Sequence, residues 1–278
     1  MLSELSAIYY NTELLIPPIP DFRISESKII GIYNKLKEPG GYQYKNLDLQ
    51  ADPPTLSTRR DDGESICKIS KDKIRIEETK PNTAMTLDEF ANVVKTVMQA
   101  IGSDMVPFFV QRCTMRFLSQ PHGSKDAIQL LAGKLANVYD KIAPFGRPPS
   151  YFGVRFRFAP AIEVELEDDD SEGSTGGDSP ESSFSRNAMR VERDDDESGP
   201  VIHKGFITLR FESYSGDHRQ IWIEVAAQYP DPVMVNAMDE VERNIRHTYD
   251  FVNDKAKRFL EQFDAMPNPE TEDGGENK

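Results

Sequence analysis

Five arginines and the one tryptophan of this 278-residue sequence fall at spacings that can place them on a shared side of several β-strands. If 108–118 is a strand, its side chains alternate between faces. Arg112 and Arg116 then share one face, with Phe109, Cys113 and Phe117 on the other. Arg155 and Arg157 oppose Phe156 and Phe158, Arg210 opposes Leu209 and Phe211, and Trp222 shares a face with Gln220 and Glu224. Strands that join these faces in one sheet would make a platform where guanidinium groups meet phosphates or other anions and an aromatic ring stacks. Two other readings stand beside this one. Arginine is an ordinary outward residue on the wet face of a half-covered antiparallel sheet, and here Glu77, Glu212 and Glu224 dilute the charge. Tryptophan and arginine are also favoured at the centre of a dimer interface.

Other chemistry finds little support. The sequence has no Gly-x-Gly-x-x-Gly, Gly-Lys-Ser/Thr, Gly-x-Ser-x-Gly or His-Glu-x-x-His, the patterns that cradle phosphates, activate a serine or hold zinc. Gly133-Lys134 precedes Leu135 inside an expected helix, so it is no phosphate loop. His122, His203, His218 and His247 lie in different elements without ligand spacing and read as surface or partly buried side chains. The runs Asp168–Asp170 and Asp194–Asp196 lack the glycine turn and closing glutamate of a calcium loop and read as solvated charge. No catalytic residue, metal or cofactor is assigned.

The formal net charge of −14 is unevenly spread. Residues 167–200 hold twelve acids against Arg186, Arg190 and Arg193, and 264–278 hold five acids against one lysine, leaving a net of only −1 elsewhere. The expected body is therefore nearly neutral and free to present a basic face. Residues 167–200 have too little apolar surface to offset the entropy of ordering, so the sequence predicts a disordered acidic insertion there and a disordered acidic tail at 264–278. No apolar run is long enough to cross a bilayer, and residues 1–5 lack the pattern of a signal peptide. Cys67 and Cys113 are far apart, as for two reduced, buried thiols of a cytoplasmic protein.

The elements that must position the arginines have local signals. Strands are expected at 8–16, 44–50, 55–60, 66–70 and 73–79. Ser25 or Ser27 caps a helix with Ile29, Ile30, Tyr33 and Leu36 inward. Thr86-Leu87-Asp88-Glu89 is a capping box before a stripe of Phe90, Val93, Val94, Val97 and Ile101, which Gly102 ends. After the strand at 108–118, Ser124 opens a helix with Ile128, Leu131, Leu135, Val138 and Ile142 inward. A long or bent strand, or two strands interrupted at Pro160, follows at 151–166, then a hairpin of 202–214 and 219–228. Asp231-Pro232 opens the last helix. Its apolar positions Met234, Met238, Val241, Ile245, Tyr249, Val252, Ala256, Phe259 and Phe263 have a mean spacing of 3.6, the period of a straight helix docked on a surface. Burying that stripe is worth at most about 15 kcal/mol, so it needs a large apolar partner surface.

The strand Phe108-Phe109-Val110-Gln111-Arg112-Cys113-Thr114-Met115-Arg116-Phe117, the ending Ile221-Trp222-Ile223-Glu224-Val225 and the terminal helix to Phe259 and Phe263 resemble a sporadically distributed prokaryotic family of uncharacterised proteins. Its members share a similar length and a strand–helix–strands–helix layout. The resemblance implies an accessory protein and supplies no catalytic residues. The acidic insertion and the lack of a crisp central signature depart from it.

The expectation is an α+β fold of duplicated βαβββα-like halves, with mostly antiparallel sheets, helices packed on one face and a long C-terminal helix. Residues 1–103 form the first half, and 104–166 with 201–263 the second. The expected function is that of a non-enzymatic binding or assembly protein of a prokaryotic cytoplasm, acting on a protein partner or by self-association. The alternatives are a nucleic-acid-associated protein using the arginine face and an enzyme whose site gathers distant residues.

Overall fold

The computed structural model describes residues 2–16, 25–38, 44–59, 63–70, 72–81, 85–102, 110–147, 149–159, 205–230 and 237–267. Nine strands form a single sheet: β1 (Ser6–Leu15), β2 (Asn46–Asp48), β3 (Thr55–Arg59), β4 (Glu64–Ile69), β5 (Lys73–Thr79), β6 (Val110–Ser119), β7 (Gly153–Phe158), β8 (Phe206–Ser213) and β9 (Ile221–Tyr229). Their order is β2-β3-β4-β5-β1-β6-β9-β8-β7, and every neighbouring pair runs antiparallel. The two sheets expected for the two halves are thus one, joined where β1 pairs with β6. Outward from that seam the first half runs β1-β5-β4-β3 and the second β6-β9-β8-β7. In each, the opening strand lies beside the half's own last strand.

The helices cover one face. Helix α1 (Glu26–Leu36) starts at Ser25, whose hydroxyl accepts from the Lys28 amide. It buries Ile29, Ile32 and Leu36 and leaves Ile30 40% exposed. Ile30 is expected inward, but at about 100° per residue it lies off the stripe through 29, 32 and 36. Helix α2 (Leu87–Ile101) carries the expected capping box: the Thr86 hydroxyl accepts from the Glu89 amide at 3.2 Å, and the Thr86 amide donates to the Glu89 carboxylate at 2.6 Å. Gly102 ends it at φ 81°, a left-handed conformation that glycine adopts without a Cβ clash.

Three expected elements differ from what forms. The strand at 44–50 shrinks to Asn46–Asp48, because the Asp48 side chain accepts from the Gln50 and Ala51 amides and turns the chain. The single helix after Ser124 becomes a wide-turned helix, Gln129–Leu135, and a short one, Tyr139–Ile142. The break falls at Asn137, whose φ of 49° cannot continue a helix. The terminal helix, made of Ala237–Asp250, a wide-turned stretch Phe251–Ala256 and Lys257–Asp264 joined end to end, buries Val241, Ile245, Val252, Ala256, Leu260 and Asp264. The extra residue per turn at Phe251–Ala256 shifts the inward stripe from Phe259 and Phe263, now half-buried, onto Leu260 and Asp264.

Asp264, expected to begin a disordered tail, is buried and belongs to this helix. Its carboxylate accepts from the His122 and Gly123 amides at 3.1 and 2.9 Å. Burial pushes its acidity one way, but these amides and Ser124 outweigh that and hold the carboxyl below its usual range. Gly123 has no room for a side chain, since a Cβ would sit 2.0 Å from the Asp264 carbonyl oxygen.

Between helices and sheet lies one core. Tyr10, Leu14, Cys113, Met115, Phe117, Ile223 and Val225 point up from the sheet to meet Phe90, Val94, Val241, Ile245 and Val252. The Tyr10 ring lies 5.4 Å from that of Phe90, and Phe117 5.7 Å from Tyr249. Polar pins fix the terminal helix on β6: Gln111 Nε2 donates to the Val241 carbonyl and Asn244 Nδ2 donates to Gln111 Oε1. The rest of the expected long strand at 151–166, the insertion at 167–200, the start of the last helix at Asp231-Pro232 and the tail beyond 267 lie outside the described residues.

Candidate functional site: the helix-free face of the sheet

Residues paired directly across antiparallel strands project to the same side, so the register shows what the other face carries. One row reads Arg155, Arg210, Glu224, Arg116, Tyr9 and Thr79, from β7 to β5. The next reads Arg157, Thr208, Ala226, Thr114, Asn11, Glu77 and Ile66. A third reads Phe206, Gln228, Arg112, Glu13, Arg75, Lys68, Thr55 and Asp48. Trp222 sits between Glu212 and Leu118. Arg112, Arg116, Arg155, Arg157, Arg210 and Trp222 therefore all lie on the face opposite the helices.

They are not equivalent. Arg116 Nε lies 2.7 Å from Glu224 Oε2, and Arg210 Nη1 lies 3.3 Å from Glu224 Oε1 while its Nη2 binds Glu212. Both guanidinium groups also stand over the Trp222 ring, at 5.6 and 5.4 Å from its centroid, and Arg116 stands 4.6 Å over the Tyr9 ring. Burial opposes the charge on Arg210, but Glu212 and Glu224 outweigh it and strengthen its hold on the proton. Arg116, Arg210, Trp222 and Glu224 thus form one tied cluster. Arg157 lies 5.1 Å over the Phe206 ring. Among the described residues no carboxylate comes within 4.0 Å of Arg112, Arg155 or Arg157.

The charge changes across the seam. On β6, β9, β8 and β7 five arginines stand against Glu212 and Glu224. On β1 to β5 the four cations Arg59, Lys68, Lys73 and Arg75 are matched in number by four carboxylates, Glu13, Asp48, Glu64 and Glu77. That half is laced together: Arg75 Nε is 2.8 Å from Glu77 and 3.5 Å from Glu13, Lys68 is 3.6 Å from Glu77, and the Tyr9 hydroxyl donates to Glu77 at 2.9 Å. Burial, with Glu77 adding to it, pushes the Tyr9 phenol up to about 12.

Sequence reasoning missed Tyr9, Phe206 and Arg75 as parts of this face: the pairing of β1 with β5 and β6 brings Tyr9 and Arg75 to the arginines, and that of β7 with β8 brings Phe206 to Arg157. The strict alternation of β5 was the available signal for Arg75.

Elsewhere the reactive groups are spent on structure. Cys67 and Cys113 are unpaired and wholly buried, and burial pushes each thiol up to about 12, out of the range of a nucleophile. His247 Nδ1 lies 2.9 Å from the Tyr229 hydroxyl, which also bonds Thr248. His122 serves through its amide, and His203 lies outside the described residues. Among the described residues no group of three His, Cys, Asp or Glu side chains is placed to hold a metal ion, and no helix is long and apolar enough to cross a membrane. A scan against protein-family models finds no match for this chain, and no curated protein matches it.

Proposed function

We propose that this chain is a non-enzymatic binding or assembly protein of the cytoplasm whose ligand surface is the helix-free sheet face on β6, β9, β8 and β7, and whose ligand is an acidic polypeptide of a partner protein. The observation that carries this reading is the excess of arginine on that half-face, with Arg112, Arg155 and Arg157 lacking a described carboxylate. Guanidinium groups with no carboxylate beside them on a solvated face favour a ligand that brings carboxylates in the right places. Two buried, unpaired thiols support a reducing compartment. The shared strand order of the two halves supports an origin by duplication, after which only one half kept a surplus of charge.

Nucleic acid is the less favoured ligand. A stacking platform needs open ring faces, whereas Trp222, Tyr9 and Phe206 each lie under a guanidinium group. Glu212 and Glu224 also interrupt the positive track where a phosphate chain would run.

The lone tryptophan supplies the test, since it lies on the proposed face. Emission from Trp222 is followed while poly-glutamate, then single- and double-stranded oligonucleotides, are added at low and near-physiological salt. A salt-sensitive response to poly-glutamate that weakens at least about tenfold in the triple variant Arg112→Ala, Arg155→Ala, Arg157→Ala is expected. Binding of oligonucleotides alone, or a response the triple variant leaves intact, overturns the reading.

A further inference from the structure

The sheet ends on one side at β2, three residues long, and on the other at β7, six residues long, which among the described residues pairs with β8 alone. An edge of that length presents unpaired backbone groups to any chain that can lie beside it. Which groups they are follows from the register. The Ser213 amide donates to the Phe152 carbonyl at 3.0 Å, and Phe152 lies one residue before Gly153, the partner of Glu212. Inward-bonding residues alternate along an antiparallel strand, so Val154, Phe156 and Phe158 bond toward β8. Gly153, Arg155 and Arg157 turn their amides and carbonyls outward.

The side chains divide in the same way. Arg155 and Arg157 rise from the helix-free face, both exposed and without a described carboxylate partner. On the opposite face Phe156 is half-buried against Phe211 and Phe259, and Phe158, 42% exposed, reaches the Phe251 ring at 5.4 Å. The apolar core therefore runs out to the edge, and among the described residues nothing covers Phe158 there. A strand laid antiparallel beside β7 would bond to the Arg155 and Arg157 backbone. Its residues directly opposite them would fall within about 5.5 Å, on the arginine side. Its alternate residues would extend over Phe156 and Phe158.

We infer that β7 is a docking edge for strand addition by an extended segment of a partner protein that alternates carboxylate and apolar side chains. This rests on the acidic-polypeptide reading above and sharpens it. A second copy of this chain is a poor occupant at the same edge. Antiparallel self-pairing of β7 would set Arg155 and Arg157 of one copy against the same arginines of the other, and like charges facing across strands are destabilising. The partner has instead to supply carboxylates on one face and apolar groups on the other, with backbone amides and carbonyls along its edge.

The test uses a labelled peptide of about twelve residues alternating glutamate and valine, its counterpart with alternate amides N-methylated on the pairing edge, and a lysine–valine peptide. Binding to the full chain is followed by fluorescence anisotropy. The glutamate peptide is expected to bind, with the lysine peptide not binding and N-methylation weakening the complex at least about tenfold. Arg155→Ala removes the guanidinium group alone. Arg155→Pro removes the outward amide as well at a position where proline is compatible with an edge, and is expected to bind more weakly still. Equal binding of the methylated and unmethylated peptides overturns strand addition and leaves the face-binding reading standing, as does binding of poly-glutamate with none of the alternating peptide. Failure of both acidic probes sinks both readings. A concentration-dependent dimer by light scattering that Arg155→Pro abolishes overturns the choice of partner in favour of a second copy.

Discussion

The two halves of the helix-free face are built alike and charged differently. Both lie on four or five antiparallel strands in the same order from the central seam, and both alternate polar side chains outward. On β1 to β5 cations and carboxylates are equal in number, and Arg75, Glu77, Glu13, Lys68 and the Tyr9 hydroxyl close into one network. On β6 to β7 the carboxylates run out after Glu212 and Glu224 have tied down Arg210 and Arg116. The contrast teaches that charge on a sheet face stabilises the fold only where partners are within reach. Where they are not, the same residue types stay in solvent and contribute little to stability. A half-buried network and an unpaired surplus should respond oppositely to substitution.

The largest effect is expected at Glu77. Glu77→Ala removes the carboxylate of Lys68, leaves Arg75 with Glu13 alone and takes the acceptor from the Tyr9 hydroxyl, and should lower stability in urea unfolding by about 2 kcal/mol. A loss below about 0.5 kcal/mol would show the network to be ornamental and the two halves energetically alike.

Next comes Tyr9→Phe, expected to cost about 1 kcal/mol near neutrality and to change the response to alkali. Because the folded-state phenol is raised from 10.0 to about 12, its stabilising contribution is whole below pH 10 and is lost as the pH climbs toward 12. Thermal melts across that interval should fall less steeply for Tyr9→Phe than for the native chain. Parallel slopes would place the phenol outside the network.

Glu224→Gln carries the comparison to the other half. It releases Arg116 and Arg210 from their shared carboxylate, should cost under about 1 kcal/mol because both arginines are partly solvated, and should raise affinity for poly-glutamate a few-fold while shifting Trp222 emission. The smallest stability effect is expected for Arg155→Ala with Arg157→Ala, within about 0.5 kcal/mol of the native chain. A marked destabilisation there would mean that these arginines have a structural partner after all.

Much of the architecture was legible because its signals are local. Thr86 and Glu89 announce the start of α2 within four residues, Gly102 announces its end, and the alternation through 108–118 already put Arg112 and Arg116 together. Where several local choices compete, the surrounding structure decides between them. Asp48 could carry the strand on to Gln50 or end it by accepting from the Gln50 amide, and it ends it. Asn137 could sit in a helix or leave it through a left-handed conformation, and it leaves. The terminal stripe has an even 3.6 spacing in sequence, yet the wide turn at Phe251–Ala256 moves burial onto Leu260 and Asp264.

By itself the sequence determined which residues share a side of each strand, since side-chain direction follows from a backbone period of two whatever the strand packs against. It also determined that the terminal helix must find an apolar surface. Only the tertiary structure decided that β1 lies between β5 and β6, that the halves merge into one sheet, and that Glu224 reaches two arginines while Arg112, Arg155 and Arg157 reach no described carboxylate. Those outcomes depend on which distant strands pair. Pairing is selected by the fit of whole faces against the helices, and no short stretch of residues carries that information.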